Sequence, residues 1–134
     1  MPPRVWAIKS RRACEAGTVR REGYETVPMS WILLITAGAF ETGFAVMLKQ
    51  SDGFTKLVPT ILFAVFALAS FGLLNLALKD LPVGTAYAVW TGIGAAGTAT
   101  VGILALGEPA GAARIACICL IVIGAIGLQA VESH

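Results

Sequence analysis

The sequence predicts an all-α membrane protein of four transmembrane helices, whose functional unit is an antiparallel dimer. Three observations carry the helical reading. Mean hydropathy is +0.79. Of the residues, 57% are hydrophobic and 13% charged, whereas an ordinary soluble domain is about 25% charged. The chain also divides into four apolar runs, 31–48, 57–78, 85–106 and 112–131, each near the roughly 20 residues that a helix needs to cross about 30 Å of hydrocarbon.

The breaks between the runs carry turn chemistry: Ser51-Asp52-Gly53, Lys79-Asp80-Leu81-Pro82 and Gly107-Glu108-Pro109-Ala110-Gly111. Links this short force each helix to run antiparallel to the one before it. The expected architecture is a pair of hairpins with both termini on one side.

Residues 1–28 stand apart. They hold six of the ten basic residues (Arg4, Lys9, Arg11, Arg12, Arg20, Arg21) and three of the eight acidic ones. They show no apolar stretch ahead of a small-residue cleavage site, so they do not read as a signal peptide. They read as a basic, disordered extension, with Met29 as the expected functional start and 29–134 as the membrane domain. The extension does not suggest nucleic acid, because no folded module presents its charges.

The first run contains Ala37-Gly38-Ala39-Phe40-Glu41-Thr42-Gly43-Phe44, and Glu41 is the only ionisable residue between Trp31 and Leu48. A charge at membrane depth costs from a few to more than ten kcal/mol, depending on the reference, so such residues mark ion or substrate paths. The competing reading is a scaffold in which Glu41 bonds to a neighbouring helix.

In the second run, Pro59 falls in the first turn, where a missing N–H does little harm. Asn75 lies near Lys79 at the interface. Ser70 lies deeper: it either faces Glu41 or bonds back to a carbonyl of its own helix.

The third run begins Gly84-Thr85-Ala86-Tyr87-Ala88-Val89-Trp90-Thr91-Gly92-Ile93-Gly94. On a 3.6-residue period Gly84, Tyr87, Thr91 and Gly94 share a stripe, with Trp90 beside it. Tyr87 and Trp90 are either belt residues at the headgroups or an aromatic wall, whose ring faces attract organic cations once water is removed. Gly92, Gly94 and Gly97 allow close helix approach or a local bend. The fourth run has no buried charge and a small-residue notch at Gly124, which reads as a packing or dimer helix. Cys117 and Cys119, two apart on that helix, point away from each other and fit neither a disulfide nor a metal site.

Four helices are too few to enclose a path for a sizeable solute and also wall it, so self-association is expected. Lys49, Lys56 and Arg114 lie on one side of the membrane and Lys79 on the other, a weak bias by the positive-inside rule. From a start at Met29, insertion in both orientations gives an antiparallel homodimer. With the basic extension the count becomes three against seven, the N-terminus is pinned in the cytoplasm, and an antiparallel dimer needs a partner of opposite orientation.

From Met29 onward the chain closely resembles the small multidrug resistance family of proton-coupled exporters. The resemblance rests on Gly38-Ala39-Phe40-Glu41, on Leu48-Lys49 with Asp52-Gly53-Phe54-Thr55, on the stretch from Leu81 to Gly94, and on Gly107-Glu108. The third-run match is most similar to the guanidinium-exporter subtype. The resemblance implies a plasma-membrane antiporter of small organic cations, driven by the proton gradient with no cofactor. It gives Glu41 the alternate binding of proton and cation, Tyr87 and Trp90 the lining of the site, Ser70 a hydrogen bond near the glutamate, and Gly38 the approach of substrate. Gly92 and Gly94 become the flexing point and Gly124 a dimer contact.

One residue departs from the pattern. Guanidinium exporters usually carry tryptophan three residues after the glutamate, where this chain has Phe44. Phe44 keeps an aromatic wall on the face of Glu41 but lacks the indole donor, which keeps hydrophobic or quaternary ammonium cations, as for a broad multidrug exporter, and an obligate partner subunit in view. An enzyme is not expected. His134 is the last residue, no nucleophile has an attendant base, and the other carboxylates lie in loops or tails.

Overall fold

The computed structural model describes residues 23–132, with side chains from residue 28 onward. Four helices make up the described residues, with no strand among them: α1 (Gly23–Gln50), α2 (Leu57–Ala77), α3 (Val83–Ala105) and α4 (Ala112–Glu132). All four are long and apolar enough to cross a membrane. Hydrogen bonds between the ends fix the up-and-down order. Ser30 Oγ donates to Asp80 Oδ2 at 2.6 Å and Thr85 Oγ1 to Glu132 Oε1 at 2.9 Å on one side, and Lys49 Nζ reaches Glu108 Oε1 at 3.2 Å on the other.

Three helices match the sequence expectation to within two residues at either end. The first does not: α1 starts at Gly23 and carries Pro28 inside it, where the sequence suggested an extension up to residue 28. At the sixth helical position, proline removes only the bond to the carbonyl four residues back, a local loss the helix tolerates. Residues 1–22 of the expected extension lie outside the described residues.

The α1–α2 turn is built around Ser51, which is fully buried. Its hydroxyl donates to the Leu48 carbonyl at 2.7 Å and accepts from the Phe54 N–H at 3.2 Å. Asp52, Gly53 and Phe54 all take positive φ, at 51°, 68° and 66°. Glycine adopts that conformation freely and the other two at some cost. After α3, Gly107 (φ 68°) reverses the chain so that the Leu106 and Glu108 N–H groups both reach the Gly102 carbonyl, at 3.2 and 3.0 Å.

Packing is uneven. Helix α1 lies against both α2 and α3, whereas α4 packs chiefly on α3 and has no buried residue. The apolar core joins Trp31, Leu34 and Ala37 of α1 to Leu74 and Ala77 of α2, Leu81, and Ala86, Val89 and Trp90 of α3. These residues come from the half of the bundle holding the start of α1, the end of α2 and the start of α3. Glu41 sits one turn beyond Ala37, where that core stops.

Candidate functional site

The site grows from the crossing of α1 and α3, where side chains of one helix lie on bare backbone of the other. A Cβ at position 38 would stand 2.7 Å from Ile93 Cγ2, closer than real carbon atoms approach. At position 94 it would collide with the Glu41 carboxyl, and at position 97 with Thr42 Oγ1. Thr42 Oγ1 also donates to the Gly94 carbonyl at 3.3 Å. Gly38, Gly94 and Gly97 thus bring the helices close enough for the Glu41 carboxyl to rest on the α3 backbone.

Glu41 Oε2 is buried, and no donor among the described residues reaches it. A buried oxygen without a hydrogen bond is costly.

From Glu41 an open cleft of about 490 Å³ runs along α3 toward the α3–α4 link. Phe44, Thr91, Gly94 and Thr98 line its length, and Glu108 with Arg114 stands at its far end. Sequence reasoning placed Thr91 on the right stripe but did not bring Thr98, Glu108 or Arg114 to the site. No periodicity joins Glu108 to Arg114, because they lie on either side of a non-helical link.

Ser70 bonds neither Glu41 itself nor its own helix, but it does bond one turn from the glutamate. It is 0% exposed, donates to the Ala37 carbonyl of α1 at 2.7 Å and accepts from Trp90 Nε1 of α3 at 3.1 Å. It therefore ties three helices together one turn from Glu41, rather than bonding to the glutamate or to its own helix. Removing the hydroxyl leaves a buried indole N–H without an acceptor. Ser70→Ala is accordingly expected to lower stability by about 1–2 kcal/mol, read as a lower midpoint of thermal unfolding in detergent with a shift in tryptophan emission.

The two aromatic candidates part company. Trp90 is 5% exposed and Tyr87 56%, with ring centroids 5.4 Å apart. A chain of rings leads on from Trp90 to Phe71 (5.7 Å), Phe44 (5.9 Å), Phe63 (5.9 Å) and Phe54 (5.6 Å). Phe44 connects this ladder to the cleft, whose lining includes neither Tyr87, Trp90 nor Ser70. Within one chain, then, Glu41, Phe44 and Gly94 come together, and the other aromatics join them through ring contacts. Gly92 faces Ala125 and Ile121 of α4 at ordinary distance, α3 runs unbroken through it, and Gly124 faces open space.

At the cleft mouth Glu108 gives one oxygen to each of two cations, Oε1 to Lys49 Nζ at 3.2 Å and Oε2 to Arg114 Nη2. The Arg114 hydrogen bond, then that of Lys49, holds the Glu108 carboxyl below the ordinary carboxylate value. A lowered value makes the pair's contribution complete above the ordinary range and lost only as pH falls through the lowered one. Glu108 is therefore ionised throughout the neutral range.

Comparison with known proteins bears on the family. A family model described as "Small Multidrug Resistance protein" matches residues 29–121. The guanidinium exporter of Escherichia coli (strain K12) is 52% identical over 101 residues, covering 75% of this chain and 96% of that protein. The guanidinium exporter of Yersinia pseudotuberculosis is 54% identical over 101 residues, covering 75% and 97%. That of Citrobacter freundii is 52% identical over the same length. With four membrane-spanning helices and a match of this extent, the chain is a multi-pass plasma-membrane protein that belongs to the small multidrug resistance family.

Proposed function

We propose that the protein exports small organic cations, of which guanidinium compounds are the first choice, in exchange for protons, and that Glu41 binds the two in turn. The observation that carries this reading is the buried Glu41 Oε2, without a donor, at the head of an open cleft. In hydrocarbon a bare carboxylate is costly, so the group holds either a proton or a cation. It cannot hold both fully, and that mutual exclusion is what couples the two flows. Alternating exposure of a midplane site to the two sides then lets inward protons drive the cation out.

The working unit in this proposal is a dimer. In a single chain α4 buries no residue and the cleft lacks the Tyr87–Trp90 pair. A second copy, or a related subunit of opposite orientation, would wall the cleft and bring a second Glu41.

Phe44 supports a second reading of the cargo. It lines the cleft but offers no N–H to orient the Glu41 carboxylate toward a planar donor, so quaternary ammonium ions, which donate no hydrogen bond, compete with guanidinium. Phe44→Trp restores an indole N–H three residues after Glu41, able to donate to its carboxylate and fix the orientation a planar guanidinium needs. It is expected to raise the preference for guanidinium over tetra-alkylammonium about three- to tenfold, the worth of one hydrogen bond of about 0.5–1.5 kcal/mol. The measurement is the ratio of transport currents.

Solid-supported membrane electrophysiology on the purified protein alone tests the function, comparing guanidinium with alkylated ammonium ions. Guanidinium is expected to evoke a current. Silence with every cation would contradict a self-sufficient exporter and favour a paired subunit.

A further inference from the structure

The cleft that starts at Glu41 does not open onto neutral surface. Its far end is lined by Arg114 and Glu108, with Lys49 paired to Glu108 beside them, and the same membrane side carries Lys56 in the α1–α2 link, against the carboxylates of Asp52 and Glu108 alone. A cation using this cleft must therefore pass a mouth whose two nearest basic groups repel it.

Glu108 sits between those two groups. Its side chain is 30% exposed and gives an oxygen to each of them, while Arg114 Nη1 donates to the Pro109 carbonyl at 3.2 Å. The link holds the carboxylate there by design of the backbone. Gly107 turns the chain at φ 68°, the Glu108 N–H is bound to the Gly102 carbonyl, and a Cβ at position 102 would stand 2.7 Å from Glu108 Oε2. Glycine at 102 thus leaves room for the carboxylate to lie over the end of α3, between Lys49 and Arg114.

We propose that Glu108 is a cation-admitting residue: by masking Lys49 and Arg114 at the cleft mouth, it lets the cargo reach and leave Glu41. With Glu108 the trio carries a net single positive charge, and without it two. One further positive charge several ångströms from the path raises the passage barrier in both directions while leaving affinity at Glu41 largely unchanged. The residue sets the rate of exchange, not the strength of binding. The inference rests on the transport function proposed above and adds to it the control of access.

The test is the initial guanidinium-evoked current of the reconstituted protein at subsaturating guanidinium, at low and high salt. Glu108→Gln is expected to lower it about fivefold at about 20 mM salt and by less than about twofold at about 500 mM, where the Debye length has shrunk to a few ångströms. Arg114→Gln is expected to do the opposite, giving currents above wild type at low salt, because it removes one of the masked charges and leaves Glu108 on Lys49. A Glu108→Gln loss that is equal at both salt levels, or an Arg114→Gln protein slower than wild type at low salt, would overturn the masking role and leave Glu108 as a brace between helices. If Glu108→Gln fails to fold, the sign of the Arg114→Gln effect decides alone. A wild-type protein with no current overturns the self-sufficient exporter and this inference together. A transporting wild type with a salt-independent Glu108→Gln effect overturns this inference only.

Discussion

Glu41→Gln is expected to fold and to lose the proposed proton-coupled cation transport by more than about a hundredfold. The substitution keeps the volume that lies on Gly94 and removes only the charge and the exchangeable proton. A neutral amide in hydrocarbon is less costly than a carboxylate, so thermal stability should be unchanged or higher. What disappears is the counter-charge for the cation. A charge-assisted contact in a dry site is worth about 1.5–3 kcal/mol more than its absence, and the proton that would be exchanged has no seat. The check is uptake into liposomes under an imposed pH gradient, beside a thermal melt. Transport retained at wild-type rate would show that another group couples the flows.

The second large effect is expected at Gly94. Adding a methyl there drives a Cβ into the Glu41 carboxyl and toward Cγ, at 2.6 Å. The carboxyl must swing away or α3 must back off, and such overpacking typically costs about 1–3 kcal/mol. If that cost falls on the bound state, Gly94→Ala weakens cation binding about ten- to a hundredfold, measured by equilibrium titration in detergent. Gly92→Ala is the informative control, because its Cβ would meet Ala125 and Ile121 at 3.5 Å, an ordinary contact. A loss confined to Gly94→Ala assigns the effect to crowding of the carboxyl. Equal losses from both would instead assign it to flexing of α3.

Much of this arrangement can be read in the residues themselves. Four apolar runs separated by glycine, proline and aspartate links leave little choice of helix number, because each run matches the hydrocarbon thickness and each link is too short for anything but reversal. Glu41 stands out for a similar reason: a lone carboxylate in such a run is too costly to be incidental. The limits are equally physical. Pro28 looks like a boundary in sequence, yet near a helix start it removes a single hydrogen bond, so α1 continues to Gly23. Ser70 finds the Ala37 carbonyl and the Trp90 indole because of how α1, α2 and α3 cross. That crossing is set by glycines whose partners no periodicity names. Tyr87 and Trp90 are three residues apart on one helix, and the core covers one and leaves the other at the surface. Glu108 reads as a loop charge until the turn at Gly107 carries it over the end of α3.

The transport account depends on Glu41 surrendering its proton when the cargo arrives. The most direct measurement is therefore proton release on adding guanidinium to the purified protein in weakly buffered detergent solution. The account predicts acidification that saturates with guanidinium and is absent from Glu41→Gln. Guanidinium binding with no change in pH, or the same release from Glu41→Gln, would contradict it.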